Sequence, residues 1–178
     1  RLDSGVDIGG VEDAVAHGHI SFEHDIIGRR LGEDKFIAYR HEGYYAPVNS
    51  LESYYRCSLD LLDPSVRRRL FGIPDRPVMT RHKNLPPTKY MTGSRVVNSL
   101  VADGCVIEGL VENSIVFGSV KVGRGAEVRN CVLMGDTYVG EGAELYCVVT
   151  DRNVIIREGR RLSGHETLPF FIGKGVSV

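Results

Sequence analysis

The sequence predicts a mainly β protein in which short parallel strands wind into a solenoid of triangular coils. A stretch of seventeen residues, Val111–Glu127, is followed directly by a second, Val128–Glu144, and the two are identical at eight positions. Within each copy, aliphatic residues recur every five or six residues, which matches neither the helical period nor strict alternation. Repeats this short cannot bury a face alone, so we expect them to stack.

Two weaker copies extend the repeat on either side. The copy from Leu145 keeps the apolar positions but loses most glycines, and an earlier copy from Val96 is two residues shorter. About four coils are therefore predicted, each with three strands and a turn at every corner, and neighbouring coils lie about 4.8 Å apart. The spacing predicts three inward columns: Val111/Val128/Leu145, Phe117/Met134 and Ile107/Val122/Val139/Ile156.

Glycines are predicted to relieve backbone strain at the corners of the coils. A single Gly-x-Gly would also fit a phosphate-binding loop, but here a third glycine is missing and no strand-to-helix switch follows. The motif VGRGAE also returns as VGEGAE on the next coil, which favours a corner. The corner residues are Gly123, Gly125, Gly140 and Gly142.

Three asparagines, Asn98, Asn113 and Asn130, are predicted to share one column. They are either a ladder of amides that hydrogen-bond from coil to coil or three separate surface turn residues. The four cysteines fall in different columns, so no disulfide is predicted, and buried small side chains are the expected role.

The residues before the repeats predict a partial α/β segment and a linker. A helix is expected from Ser21 to Gly32, and a strand pair is expected over residues 35–48, turning near His41–Gly43. Asn49 or Ser50 then caps a helix. Its apolar stripe is Leu51, Tyr54, Tyr55, Leu59 and Leu62.

Proline-rich residues 63–90 are predicted to form an extended linker between two domains. The predicted domains are residues 1–62, the C-terminal part of an α/β domain, and residues 91–178, the solenoid with a C-terminal strand. Nothing in residues 1–20 opens like a domain, so we expect the sequence to be a piece of a longer protein.

Composition argues against several classes of function. The net charge of -1 gives no reason to expect nucleic acid or an anionic membrane as a partner. No apolar run approaches the length of a membrane-spanning helix. The cysteines lack CxxC spacing and the N-terminal histidines lack the spacing of a metal site, so we expect a reduced, cytoplasmic protein without a metal centre.

A group of basic residues in and after the linker is a candidate site for an anionic effector. A solvated helix end or turn is the alternative interpretation of the same residues. The candidates are Arg67, Arg68, Arg69, Arg81, His82, Lys83 and Lys89.

Four stretches together resemble a known family. Their order and spacing are similar to those of bacterial ADP-glucose pyrophosphorylases, also called glucose-1-phosphate adenylyltransferases. The stretches are FEHDIIGRRL, GYYAPVNSLESYYRCSLDLL and NLPPTKY, followed by the repeats. The resemblance covers nearly the whole chain. It implies a left-handed parallel β-helix of hexapeptide type, preceded by part of a nucleotidyltransferase α/β domain.

The resemblance implies a role in glycogen synthesis, where the family joins glucose 1-phosphate and ATP, with magnesium, to give ADP-glucose. Catalytic members read GYW-x-DVGT, and here Pro47 stands where their magnesium-binding Asp would be. A proline offers no carboxylate to a cation that prefers oxygen ligands. This departure, and the family's nucleotide loop and sugar-phosphate lysine missing from this chain, resemble the GlgD-type subunits.

The resemblance therefore implies a non-catalytic subunit that carries no catalytic residue, metal or cofactor in this chain. Magnesium and ATP are implied for a catalytic partner subunit. The expected partners are that catalytic subunit, in a homo- or hetero-oligomer formed through the β-helix, and a sugar-phosphate effector.

Alternatives remain open at this point. The chain could be a truncated but active nucleotidyltransferase, a related subunit acting on another sugar nucleotide, or a structural scaffold. Acyltransferases with hexapeptide repeats need a histidine base, and γ-class carbonic anhydrases need three histidine ligands for zinc. No histidine occurs between Met91 and Gly164, which disfavours both of these classes.

Overall fold

A computed structural model describes residues 35–75, 77–80 and 83–178, together with His24, Ile27, Gly28, Leu31 and Gly32. The chain divides into two compact units, Arg1–Glu42 and Gly43–Val178. The described residues of the second unit hold two helices, α1 (Leu51–Asp60) and α2 (Pro64–Phe71), and fifteen short strands.

The strands form the coils of the predicted solenoid. In chain order they are β1 (Lys89–Tyr90), β2 (Arg95–Val97), β3 (Leu100–Val101), β4 (Val106–Ile107), β5 (Leu110–Glu112), β6 (Ile115–Val116), β7 (Lys121–Val122), β8 (Glu127–Arg129), β9 (Val132–Leu133), β10 (Tyr138–Val139), β11 (Glu144–Tyr146), β12 (Val148–Thr150), β13 (Ile155–Ile156), β14 (Arg161–Ser163) and β15 (Phe170–Ile172).

Every third strand pairs in parallel with the equivalent strand of the next coil. This gives three five-stranded sheets: a first sheet β1-β4-β7-β10-β13, a second sheet β2-β5-β8-β11-β14 and a third sheet β3-β6-β9-β12-β15. This confirms the parallel β-helix that the repeats predict and that the resemblance implies to be left-handed. The predicted C-terminal strand, β15, pairs with β12 and closes the last coil.

Two of the three predicted inward columns are confirmed. Val111, Val128 and Leu145 are in register and at most 2% exposed, as are Ile107, Val122, Val139 and Ile156. Each buried aliphatic side chain contributes about 1.5–3 kcal/mol relative to an exposed one. Along these two columns, the interior of the coils therefore contains only apolar side chains.

The third column was predicted one residue out of register. Val116 pairs with Leu133, and both are at most 1% exposed and belong to the interior cluster. Phe117 instead points away from the interior and is 43% exposed. Because side chains alternate across a strand, an offset of one residue moves a whole column to the opposite face. Met134 occupies the position equivalent to Phe117 on the next coil and is only half-buried.

The asparagines occupy one corner in the left-handed backbone region. Asn98, Asn113 and Asn130 have φ of 42°, 46° and 52°, and Cys147 continues the column with φ of 51°. Asparagine tolerates this conformation better than most residues. The Nδ2 of Asn98 donates to the Oδ1 of Asn113 at 2.7 Å, so the predicted amide ladder forms between the first two members.

The four corner glycines serve two different purposes. Gly125 and Gly142 have φ of 67° and 63°, a conformation that glycine adopts without strain. Gly123 and Gly140 have no positive φ, but a Cβ on Gly140 would lie 2.5 Å from the backbone nitrogen of Glu158. This second pair is therefore needed for the close approach of neighbouring coils rather than for relief of strain.

Helix α1 covers the middle of the outer face of the third sheet, over β9 and β12. Ser50 caps the helix and exchanges hydrogen bonds with Ser53 in a capping box, which confirms the predicted start. Tyr55 packs with Val132 and Val149, and the half-buried Leu51, Tyr54 and Leu59 complete this cluster. The central strands of this sheet, β9 and β12, read as apolar runs because both of their faces are covered.

Three expectations for the residues before the coils fare differently. Residues 35–48, all of which are described, form no strand, so the predicted strand pair is wrong; a lone hairpin without sheet neighbours is marginal in water. The segment predicted as an extended linker contains α2, whose N-terminus is capped by Asp63. Most of the helix predicted over residues 21–32 lies outside the described residues.

Candidate functional site

A groove of about 450 Å³ lies along one corner of the coils. Its floor consists of two adjacent columns of residues, Phe117/Met134 and Asp103/Gly118/Gly135/Arg152. Within each column, residues 15 or 17 positions apart in sequence stack on successive coils. The carbonyls of Asp103, Gly118 and Gly135 each accept a backbone hydrogen bond from the next coil, which fixes the stacking. The lining residues are Tyr54, Lys83, Leu85, Ala102, Asp103, Phe117, Gly118, Met134, Gly135 and Arg152.

One wall of the groove is the segment that leads into the first coil. The carbonyl of Pro86 accepts from the Gly104 nitrogen at 2.7 Å, and the Lys89 nitrogen donates to the Cys105 carbonyl at 2.9 Å. These bonds hold Leu85 so closely that a Cβ on Gly118 would lie 2.8 Å from its Cδ1 atom. Glycine at position 118 therefore both admits Leu85 and keeps the floor open.

The opposite wall is helix α1, which contributes Tyr54. The helix is fixed by its neighbour Tyr55, which is 2% exposed and whose hydroxyl donates to the Asn130 carbonyl at 2.7 Å. Burial raises the pKa of the Tyr55 hydroxyl, so this donor stays protonated. Since the acceptor is a corner residue of the coils, α1 has a fixed position relative to the groove.

The charges of the groove are uneven. Lys83 and Arg152 are cationic and exposed at the ends of their side chains, and Asp103 supplies one carboxylate. The Nε of Arg152 lies 3.9 Å from the Oδ1 of Asp151, a long contact between partly exposed side chains. An exposed ion pair of this length contributes little, so the guanidinium retains capacity for another anion.

The predicted effector residues are not brought together by the structure. Lys83 lines the groove, whereas the Nη1 of Arg67 donates to the carbonyls of Leu61 and Leu62 at 2.6 and 2.9 Å, just beyond the end of α1. Arg68 and Arg69 are exposed in the last turn of α2, and Lys89 is exposed on β1 outside the groove. Arg81 and His82 lie outside the described residues.

Sequence reasoning missed Arg152, Asp103 and Phe117 as groove residues. Coil steps of 15, 17 and 17 residues lead from Asp103 through Gly118 and Gly135 to Arg152, so the repeat period itself carried this signal. The two glycines in that column mark a floor without side chains. The position of α1 carried no such signal, because the repeat says nothing about what packs on its outer face.

The cysteines are free, and three of the four are buried, as predicted. Burial raises the pKa of the Cys131 thiol to about 12, so the thiol form dominates near neutral pH. Cys131 belongs to the interior cluster and Cys147 to the cluster beneath α1, which places them on opposite faces of their coils. In the described part of the chain, no group of three His, Cys, Asp or Glu residues could hold a metal ion.

Fold and repeats together define a hexapeptide-repeat domain. Residues 86–167 match the protein family described as GlmU-like, C-terminal hexapeptide. None of the described helices is long and apolar enough to span a membrane.

Similar proteins identify the chain more specifically than the match to the hexapeptide domain does. The chain is 48% identical to the glycogen biosynthesis protein GlgD of Bacillus subtilis (strain 168), over 78% of this chain and 40% of that protein. It is 38% identical to the GlgD of Geobacillus stearothermophilus, over 72% of this chain and 43% of that protein. A glucose-1-phosphate adenylyltransferase of Geobacillus stearothermophilus is 36% identical over 67% of this chain and 31% of its own length.

These matches confirm the resemblance to the glucose-1-phosphate adenylyltransferase family and to GlgD. The matched part of this chain spans less than half of the length of each of these relatives.

Proposed function

We propose that this chain is part of a non-catalytic subunit of ADP-glucose pyrophosphorylase that acts in cytoplasmic glycogen biosynthesis. The subunit assembles with a catalytic subunit that makes ADP-glucose from glucose 1-phosphate and ATP, and it modulates that subunit. The observation that carries the proposal is Pro47, which replaces the carboxylate of the catalytic family pattern. The similarity to two proteins named for glycogen biosynthesis supports the pathway.

The residues around Pro47 do not fit a magnesium site of the kind that the catalytic pattern implies. Magnesium prefers carboxylate and other hard oxygen ligands in near-octahedral geometry. The ring of Pro47 offers no donor, and its neighbours, the half-buried Ala46 and the exposed Val48, are apolar.

The β-helix suits the proposed role in assembly. Its three sheets present rigid outer faces, and only the third sheet is covered by α1 in the described residues. The first and second sheets leave Tyr138 and Tyr146 39% and 42% exposed. Partly exposed aromatic side chains on a rigid surface are typical of protein–protein contacts.

The test uses the full-length protein with and without the catalytic subunit of the same organism. We expect no ADP-glucose formation by the full-length protein alone, co-elution of the two subunits on size exclusion, and a changed kcat or KM in the mixture. Pro47→Ala serves as a matched control, because it removes the ring without adding a carboxylate and should leave all three results unchanged.

Two results would contradict the proposal. Synthesis of ADP-glucose by the full-length protein alone would show an active nucleotidyltransferase, of which this chain is only the C-terminal part. Failure of the subunits to co-elute, together with unchanged kinetics in the mixture, would remove the partnership.

A further inference from the structure

The outer face of the second sheet carries a regular arrangement of charges. Each of its five strands presents two outward residues, one on either side of a residue that faces the interior. The strand register aligns the outward residues in two columns. The first column is Arg95, Leu110, Glu127, Glu144 and Arg161, and the second is Val97, Glu112, Arg129, Tyr146 and Ser163. Three arginines and three glutamates make this face neutral, so its net charge does not repel a second copy of it.

The charged side chains of this face pair with one another but keep capacity for further bonds. The Nε of Arg129 lies 3.3 Å from the Oε2 of Glu112, and its Nη1 binds Glu127. The Nη2 of Arg161 lies 3.1 Å from the Oε1 of Glu144. All of these side chains are 36% or more exposed, so their remaining N–H groups and lone pairs face outward. Exposed pairs contribute little to the stability of the chain that carries them, which leaves the face available for a partner.

The same face contains a shallow depression and an aromatic side chain beside it. The depression has a volume of about 240 Å³ and lies over β8, β11 and β14. Tyr146 stands at its edge and is 42% exposed, and Arg129 and Arg161 also line it. Tyrosine and arginine are enriched among the residues that contribute most to protein–protein binding. A second copy of this face therefore offers both a side chain that can enter the depression and a depression that can receive one.

Two copies of this face can pack together about a two-fold axis in two ways. An axis along the strands reverses the order of the coils, so Glu127 meets Glu127 of the second copy and Arg129 meets Arg129. Like charges placed opposite each other disfavour this arrangement. An axis along the solenoid keeps the order of the coils and exchanges the two columns. Glu127 then meets Arg129 of the second copy on the central coil, and Glu144 meets Tyr146 on the next coil, so only the parallel arrangement is complementary.

We infer that the outer face of the second sheet binds a second copy of this chain, with the two solenoids side by side and parallel. Glu127 and Arg129 of both copies form a ring of four alternating charges at the centre. Tyr146 of each copy enters the depression of the other and donates its hydroxyl to Glu144. This inference deepens the assembly part of the proposed function and rests on it for its biological role, whereas the contact itself is measurable on this chain alone.

The size of the face sets the strength of the contact. Four coil steps of about 4.8 Å make it about 19 Å long, and two columns make it narrow. The buried area is therefore smaller than the roughly 800 Å² per partner of a standard interface, and we expect a dissociation constant on the order of 10–100 μM. A contact of this strength adds avidity within a larger oligomer in which other contacts already hold the copies together.

Sedimentation equilibrium of this chain, from about 5 μM to about 1 mM, measures the association. We expect a reversible equilibrium between monomer and dimer. The dissociation constant should rise at about 0.5 M sodium chloride, because salt at that concentration screens the central charges. Tyr146→Ala should weaken the dimer by about tenfold or more, since it empties both depressions.

Two charge reversals test the central ring directly. Arg129→Glu makes the centre of the face negative and Glu127→Arg makes it positive, so each variant alone should associate about tenfold more weakly or less. An equimolar mixture of the two should form heterodimers at least as tightly as the unchanged chain, because every central pair then joins opposite charges. A misfolded variant does not recover on mixing. Arg124→Glu and Glu141→Arg are the matched controls, since both are exposed corner residues outside the face and undergo the same changes of charge.

Cross-linking tests the direction of packing. Ser163→Cys places a thiol on the last coil of each copy. The parallel arrangement brings the two introduced thiols to the same coil, within reach of a short bismaleimide, whereas the reversed arrangement separates them by about 19 Å along the solenoid. The unchanged chain with the same reagent is the control, because Cys57 is only half-buried.

Four outcomes would overturn the inference. The first is a chain that stays monomeric up to about 1 mM, which corresponds to negligible affinity. The second is a dimer that persists in both charge reversals, since it would then use another face. The third is a mixture of the two reversals that associates no better than either variant alone. The fourth is a dimer in which Ser163→Cys forms no cross-link beyond the control.

The two proposals fail separately. The association experiments contain no catalytic subunit, so their failure leaves the tests of ADP-glucose formation and co-elution as they stand. Synthesis of ADP-glucose by the full-length protein alone would contradict the proposed function and would leave the contact between the second sheets measurable on this chain.

Discussion

The hydroxyl of Tyr55 should hold helix α1 on the coils, and the substitution Tyr55→Phe isolates this bond. The hydroxyl is buried and donates to the Asn130 carbonyl at 2.7 Å, whereas the ring packs on Val132 and Val149. Phenylalanine keeps the ring and its apolar contacts. The variant therefore removes one hydrogen bond and leaves the acceptor without its partner.

The expected loss of stability follows from the unpaired acceptor. A carbonyl left without its buried donor costs about 1–3 kcal/mol, so we expect a loss of about 2 kcal/mol. For a domain of this size the melting temperature should fall by about 4–8 °C. Tyr146→Phe is the control, because the Tyr146 side chain is 42% exposed and should change the free energy of unfolding little.

Thermal unfolding followed by circular dichroism measures the loss, and hydrogen exchange locates it. We expect amides of α1 to lose protection, while those of Val122 and Val139 inside the coils stay protected. A loss below about 0.5 kcal/mol, the range of ordinary surface substitutions, would refute the reasoning. Equal loss of protection in α1 and in the coils would also refute it, since the bond would then not act locally.

Three further predictions concern the corners and the buried titratable groups. Gly140→Ala should cost about 3 kcal/mol or more in unfolding free energy, because its Cβ meets backbone of the next coil, while Gly142→Ala, with open space but φ of 63°, should cost about 1–2 kcal/mol; urea unfolding that ranks them oppositely would contradict this. Asn113→Ala should destabilise more than Asn113→Gly in thermal melts, since glycine keeps the φ of 46° and both variants lose the bond from Asn98. Burial raises the pKa of the Cys131 thiol from 9.0 to about 12 and raises that of Tyr55, so stability should be full below pH 9 and fall as the pH rises toward 12; urea midpoints constant from pH 8 to pH 11 would contradict this.

Much of the fold was predictable because the repeat states its own geometry. The seventeen-residue spacing of Val111, Val128 and Leu145 predicted that these residues stack on successive coils. The register of β5, β8 and β11 confirms this stacking. Phe117 was assigned to the interior because a period of five or six residues does not decide which of two adjacent strand residues faces inward. Adjacent residues of β6 point to opposite faces of the sheet. Ile115 is covered on the outer side, and Val116 is therefore the residue that is buried in the interior.

The candidate site was less predictable because its walls are distant in sequence. Lys83 was singled out for its charge, but Arg67 was singled out for the same reason and instead binds the carbonyls of Leu61 and Leu62. Charge in a sequence does not show whether a side chain is already occupied by backbone acceptors. Clustering of basic residues along the chain therefore did not predict clustering in space.

The sequence by itself determined the coils and their corners. These features are local or periodic, and each residue type carries its own conformational or chemical limit. Only the tertiary structure decided where helix α1 lies, because its place depends on Tyr55 meeting a corner carbonyl 75 residues away. That contact holds α1 so that Tyr54 lines the same groove as Phe117, and the groove exists only when the helix and the coils are packed together.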